Sequence, residues 1–285
     1  LTDRFDVGGN VSFADTRGNY VERGNNTNGL QLGLLRTPPN WNNQPYKGPN
    51  GQITFRFQHP TPFDVTTDRG WNNPFWTLNE GVHNSQVGRV FGNLNANFDA
   101  TDWLKLNYVL GGDYYTDERL EGIPQGSTAP APAGRVTEGK IVNYELNHNL
   151  TATASHTFSP SFSGTFTLGN TIDDRNYRQL SDVGRTLVAA VPYNLINTVN
   201  RDPTLDNIQE IRNVGFFGQA TADLFDQLYL TGALRNDGSS TYDRNHLRAW
   251  FPKASMSWTF SKVLPIPGVS FSKLRAAYGE AGQEP

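Results

Sequence analysis

The sequence predicts an all-β fold: an antiparallel transmembrane β-barrel wall, incomplete, of about nine strands, with short turns at one end and long connections at the other. Three observations predict it. Apolar and polar residues alternate in stretch after stretch, the connections alternate between long and short, and aromatic residues gather beside the short turns. No helical periodicity of comparable quality competes.

Period two marks each strand, because successive side chains of an extended chain point to opposite faces. Phe5, Val7, Val11 and Phe13 share one face of the first. Val90, Leu94, Ala96 and Phe98 do so in the second, and Leu104, Leu106, Tyr108 and Leu110 in the third. Leu150, Ala152, Ala154 and Phe158 are followed by Phe162, Phe166 and Leu168. Phe216, Ala220 and Leu224 precede Leu228, Leu230 and Leu234. Ala254, Met256, Trp258 and Phe260, then Leu274, Ala276 and Tyr278, complete the series. The opposite faces carry Asn, Thr, Ser, Asp, Gln and Arg, which a soluble core buries only with dense hydrogen bonding. A water-filled or plugged lumen accepts them. Leu104, Leu106, Leu110, Leu228, Leu230 and Trp258 are therefore expected to face lipid.

Asp99–Asp102, Ser159–Ser161 and Asp226–Gln227 read as tight turns and Ser261–Ser270 as a modest one. The intervening connections are long: Thr16–Gln86, Glu118–Thr137, Leu180–Gln209 and Thr241–Ala249. This parity fits periplasmic turns and extracellular loops of an outer-membrane barrel. Phe98, Trp103, Phe158, Phe162, Phe225, Tyr229 and Phe260 lie beside the short turns, as an interfacial girdle requires.

Composition agrees. The hydrophobic fraction is 36% of 285 residues and the mean hydropathy −0.56, polar overall. No apolar run reaches the ~18 residues of a membrane helix, whereas a barrel needs apolar residues only at alternate positions. The net charge of −3 and the lack of a basic run argue against nucleic acid as a partner. The absence of cysteine excludes disulfides, thiolate metal sites and thiol nucleophiles. Residue 1 follows no leader, and AYGEAGQEP stops directly after a strand, so the chain is expected to be a stretch of something larger.

Several segments, in order, resemble SusC/RagA-type TonB-dependent transporters of the Bacteroidota outer membrane. They are NPFW at Asn73–Trp76, DWLKLNYVLGGDYY at Asp102–Tyr115, FFGQATADLFDQLYLTGALRNDGSS at Phe216–Ser240, FPKASMSW at Phe251–Trp258 and LRAAYGEAGQ at Leu274–Gln283. The resemblance implies a barrel of about 22 strands with a plugged lumen, of which this chain would supply less than half as one domain. It implies import of a nutrient such as an oligosaccharide or peptide beneath a SusD-like surface lipoprotein. TonB would act through a segment upstream of this chain, and no enzymatic activity is implied. A passive porin, or a secreted or surface β-rich glycan-binding protein, is the competing reading.

Candidate ligand contacts are Trp41, Trp71 and Trp76 in the longest connection, where aromatic faces suit sugars or peptides, and Arg235 and Asp237, which alternate toward the lumen. The same loop aromatics equally suit packing against a lid, and Arg235, Asp237 and Ser239 equally suit a hydrogen-bond ladder. The histidines His59, His83, His148, His156 and His246 show no metal spacing. Asp173–Asp174, Asp202, Asp206, Asn207, Asp237 and Asp243 offer oxygens for Ca2+, although such residues are also ordinary turn formers.

Overall fold

The computed structural model describes residues 3–21, 29–37, 39, 41–54, 72–128, 131–243, 247–264 and 267–282. Its strands are β1 (Phe5–Asn19), β2 (Val82–Asp99), β3 (Leu104–Gln125), β4 (Ala133–Ser159), β5 (Phe162–Leu187), β6 (Thr198–Arg201), β7 (Leu205–Leu224), β8 (Leu228–Ser239), β9 (Arg248–Trp258) and β10 (Leu274–Gly279). Two short helices, α1 (Leu30–Leu35) and α2 (Pro74–Glu80), lie in the connection between β1 and β2. All strands join one antiparallel sheet that is not closed: β1-β2-β3-β4-β5-β7-β8-β9-β10, with β6 paired to the end of β5. No helix among the described residues is long and apolar enough to cross a membrane.

The nine strands expected from period two are all present, and the pairing register aligns their faces. Leu94, Leu110, His148, Ile172 and Val214 form one cross-strand row, and Phe166, Ala220, Gly232 and Ala254 another. A slip of one residue between any two strands would invert this order, so the pattern fixes the register. The apolar face is bare: Val11 is 81% exposed and Phe13 73%. Buried apolar residues are few among those described: Ile53, Trp76 and Ala131 in the connections, and Ile123, Val136, Ile141 and Leu187 in the stretches of β3, β4 and β5 next to them. This inverts the soluble arrangement.

Two expected connections are instead strand. Glu118–Thr137 was to be loop, yet β3 runs on to Gln125 and β4 begins at Ala133. Apolar alternation ends there while the ladder continues, carried by the cross-strand pairs Lys140–Glu118 (2.8 Å) and Arg135–Glu121. Leu180–Gln209 likewise holds the end of β5, β6 and the start of β7, laced by Arg178–Asp206 (2.8 Å) and Arg185–Asp202 (2.7 Å). Opposite charges facing each other stabilise a strand pair as apolar neighbours do, but they leave no hydrophobic period to read. At the other boundary, β1 reaches Asn19 and β2 starts at Val82, which trims the expected Thr16–Gln86 loop at both ends.

The tight turns hold. Phe225 (φ 59°) and Asp226 (φ 51°) both take left-handed backbone, and Gln227 N–H donates to Leu224 O at 3.1 Å. Positive φ at both central residues matches the twist of the flanking strands. Beside the turns, Phe5 meets Phe98 edge-on at 6.3 Å, Phe158 stacks on Phe162 at 4.9 Å, and Trp258 lies 5.6 Å from Phe260. Tyr229 departs from the girdle: it belongs to the polar face, in register with Asp223 and Ser257.

Candidate functional site: the polar trough and its cap

The sheet curves around its polar face to enclose a trough of about 900 Å³ that reaches from Asn10 on β1 to Phe251 on β9. Toward the short turns, the same polar face continues as a hydroxyl and amide ladder. Asn97 Nδ2 donates to Asp6 (2.8 Å), Asn107 donates to Asn97, and hydroxyl pairs join Thr153–Thr167 (3.2 Å) and Thr221–Thr231 (3.0 Å).

Arg235 and Arg175 line this trough, and Arg89 stands beside it on the same face. Arg235 Nε donates to both oxygens of Asp237 at 2.7 Å, and its Nη2 reaches Thr171 Oγ1 at 3.1 Å. Thr171, Gly215 and Asp237 occupy one cross-strand row, with Gly215 between the other two. Glycine makes room for this cluster: a Cβ would stand 2.5 Å from Asp237 Oδ1 and 2.7 Å from Thr171 Oγ1, so those side-chain ends would have to shift. Arg175 pairs with Asp173 (2.5 Å), whose Oδ1 accepts from Asn147 at 2.9 Å. Arg89 grips Asp113 and lies over the Phe91 ring at 5.0 Å. The trough thus presents guanidinium forks already oriented by carboxylates, with amide and hydroxyl groups between them. Such a surface can hydrogen-bond a polar ligand without rearranging.

The long connections build a cap. In NPFW, Asn73 is the helix N-cap: its Oδ1 accepts from Phe75 N–H at 3.0 Å, and Pro74 opens α2. The Asn73 amide nitrogen donates to Asn43 O (2.8 Å) and Thr54 Oγ1 (3.0 Å). Asn72 Oδ1 accepts from Thr128 N–H (2.8 Å) and Oγ1 (3.1 Å), and Trp76 Nε1–H donates to Ser127 Oγ (3.0 Å). Glu80 gathers a third connection. Its carboxylate takes Lys47 Nζ (2.6 Å) and Tyr46 Oη (3.2 Å), while its backbone carbonyl accepts from Tyr193 Oη at 2.6 Å. Burial pushes the Tyr193 phenol up to about 12, with the Glu80 charge adding to the effect.

Of the ligand contacts expected from sequence, Arg235 and Asp237 come together in the trough. Trp76 requires correction. It is 4% exposed, packed against Ile53 and Tyr46, so it offers no ring face to a ligand. Trp41 is half-buried in the same connection, and Trp71 lies outside the described residues. Ser239 is buried and bonded to Thr241 at 2.9 Å. Sequence reading missed Arg89, Asp113, Asn147, Asp173 and Arg175 as one surface. Polar-face parity was their only signal, and register decides who meets whom.

Among the described residues, no group of three His, Cys, Asp or Glu is placed to hold a metal ion. Asp173, Asp174, Asp202, Asp206 and Asp237 are each engaged by an arginine instead. His148 sits on the apolar face within a polar chain: Tyr108 Oη stands 3.5 Å from Nδ1, and Nε2 3.0 Å from Asn170 Oδ1. His59 and His246 lie outside the described residues.

A sheet that is apolar outside, polar within and bordered by aromatics is the wall of an outer-membrane-type β-barrel. The chain matches the model of the family described as "TonB dependent receptor-like, beta-barrel" over residues 4–285, and it belongs to that family. It is similar to TonB-dependent receptor P3 of Formosa agariphila, at 23% identity over 222 residues, which are 74% of this chain and 22% of that protein. Its fold is that of the RagAB peptide transporter, with a TM-score of 0.79 at 16% identity over 98% of this chain and 31% of the other. The "open-open" state of the RagAB peptide importer gives 0.77 at the same identity and coverage. The chain thus spans less than a third of the length of these relatives.

Proposed function

We propose that this chain is one continuous stretch of barrel wall, with its extracellular cap, in a TonB-dependent outer-membrane transporter that imports a polar nutrient of the oligosaccharide or peptide class. The observation that carries this reading is the opposition of faces: a bare apolar surface outside and a trough of oriented Arg–Asp pairs inside. A span of ~9–11 residues crosses the hydrocarbon, whereas β3, β4 and β5 have 22, 27 and 26 residues. Their upper halves therefore stand above the membrane and wall a vestibule under the cap. Leu104, Leu106, Leu110, Leu228, Leu230 and Trp258 face lipid in this reading.

Arg235 and Asp237 would contact ligand near the rim, joined by Arg175 and Arg89. The paired charges and dense amides suit a zwitterionic or uncharged polar chain, such as a peptide backbone or a glycan, better than a strongly charged solute. Coupling to TonB through an upstream segment and covering by a SusD-like lipoprotein follow from the resemblance. Calcium in the loops stays outside the proposal, since arginines pair with Asp173, Asp174, Asp202, Asp206 and Asp237.

Uptake of labelled peptides and oligosaccharides by cells carrying the full-length protein, with and without TonB, tests the reading. Import that needs both supports it. Import without TonB would make the protein a porin, and recovery in the aqueous fraction without detergent would make it a soluble binder.

A further inference from the structure

Strand β9 measures the apolar band from edge to edge. Below Arg248 its outward face reads Trp250, Pro252, Ala254, Met256 and Trp258, with a tryptophan at each end. Those nine residues match the ~9–11 of a membrane-crossing strand, and tryptophan favours the two interfaces. Arg248 therefore stands one step beyond the outer interface, at the depth of lipid headgroups.

Other bases along this upper border of the same face have carboxylate partners. Lys140 has Glu118, Arg178 has Asp206 and Arg212 has Asp174. Arg248 has no carboxylate among the described residues. Its Nε donates to Asn236 Oδ1, and its Nη2 to the carbonyls of Asn236 (3.1 Å) and Val214 (3.2 Å). Its guanidinium carbon lies 5.4 Å from the centre of the Phe216 ring. Gly238, its cross-strand partner, leaves room for Nη1, which a Cβ there would approach to 3.1 Å. Neutral acceptors and an aromatic face thus hold Nε and Nη2 in place, neutralise none of the charge, and leave Nη1 without a hydrogen-bond acceptor among the described residues. Trp250, 62% exposed, lies two residues below on the same face.

We infer that Arg248, braced on Phe216 above Trp250, is a binding site for the anionic headgroup of a membrane lipid on the outer wall of the barrel. The two N–H groups of Nη1 match two phosphate oxygens, and the exposed Trp250 indole and the Leu234 side chain below offer the first acyl segment an apolar bed. The inference rests on the membrane-wall reading above.

The test uses full-length protein in nanodiscs of phosphatidylcholine containing a minority of phosphatidylglycerol, with retained lipids counted by native mass spectrometry. Wild type should keep phosphatidylglycerol in preference to phosphatidylcholine, and high salt should release it. Arg248→Gln should lower that retention roughly tenfold, as expected for a charge-assisted hydrogen-bonded contact. Arg248→Lys, which keeps the charge and loses the fork, should fall between. Equal retention by wild type and Arg248→Gln, or a wild-type preference indifferent to salt, would overturn the site. Heat-modifiable gel mobility reports whether each variant is folded, and the wild-type salt series stands even if Arg248→Gln fails to fold. Failure of the whole protein to enter nanodiscs would overturn the wall reading instead.

Discussion

The Trp76 indole donates to Ser127 Oγ at 3.0 Å across 51 positions of sequence, and so ties the longest connection to the one between β3 and β4. Nearby, Asn72 meets Thr128 and Glu80 meets Tyr193, so three connections are joined by hydrogen bonds. A loop of this length would otherwise cost ordering entropy with little in return. The small Trp76–Ile53 cluster supplies the compensating burial.

Trp76→Ala should open this cap while the wall stays folded. Removing a buried indole costs about 3–5 kcal/mol, and Ser127→Ala, which strands the N–H, about 1–3 kcal/mol. Hydrogen exchange across residues 72–80 and 126–128 should rise in both variants and stay unchanged in β7 and β8. Unchanged protection in the cap would show that Trp76 does not hold it.

The cap should also respond to high pH. Tyr193 has its folded phenol raised from 10.0 to about 12, so the folded state favours the protonated form. Its contribution is complete below pH 10 and is lost as pH climbs through about 12. Exchange in the cap, followed between pH 9 and 12.5 with Tyr193→Phe as reference, should show a step that the variant lacks.

In acid the order reverses at the rim. Arg178 and Arg185 hold Asp206 and Asp202 below the usual carboxylate range. Their contribution is present above the unfolded carboxylate value and disappears as pH falls through the lowered one. Both pairs are exposed, so the effect is small and screened by salt. Asp206→Asn should flatten the acid limb of exchange in the upper part of β5 and leave the alkaline step intact.

The faces themselves can be weighed. Leu106→Arg should cost about 2–4 kcal/mol if it meets hydrocarbon. Asn107→Arg, on the polar face beside Asn97, should cost about 1 kcal/mol for the hydrogen bond it loses. Denaturant titration of the full-length protein folded into lipid vesicles distinguishes them, and equal penalties would count against the assigned faces.

In the trough, Gly215→Ala should displace Arg235 from Thr171, because the new methyl would sit 2.6 Å from Arg235 Nη2. Thr171→Val removes the acceptor at constant shape. Each should weaken ligand binding several-fold, the worth of one hydrogen bond at about 0.5–1.5 kcal/mol. Calorimetry with a ligand identified by the uptake assay measures it; unchanged affinity would place the ligand elsewhere in the vestibule.

Period two is a local property of the chain, so the sequence by itself located nine strands where apolar and polar residues alternate, and determined which of their faces is apolar and where the tight turns fall. The polarity of the faces followed, since amide and hydroxyl rows opposite leucine rows leave few arrangements open. Only the tertiary structure decided how far β3, β4 and β5 rise above the band, because their upper reaches alternate in charge rather than in hydrophobicity. It also turned Trp76 from a ligand platform into a core residue, and joined Arg235 to Thr171, 64 positions away. Those outcomes depend on register and on contacts between distant connections, which no window of neighbouring residues contains.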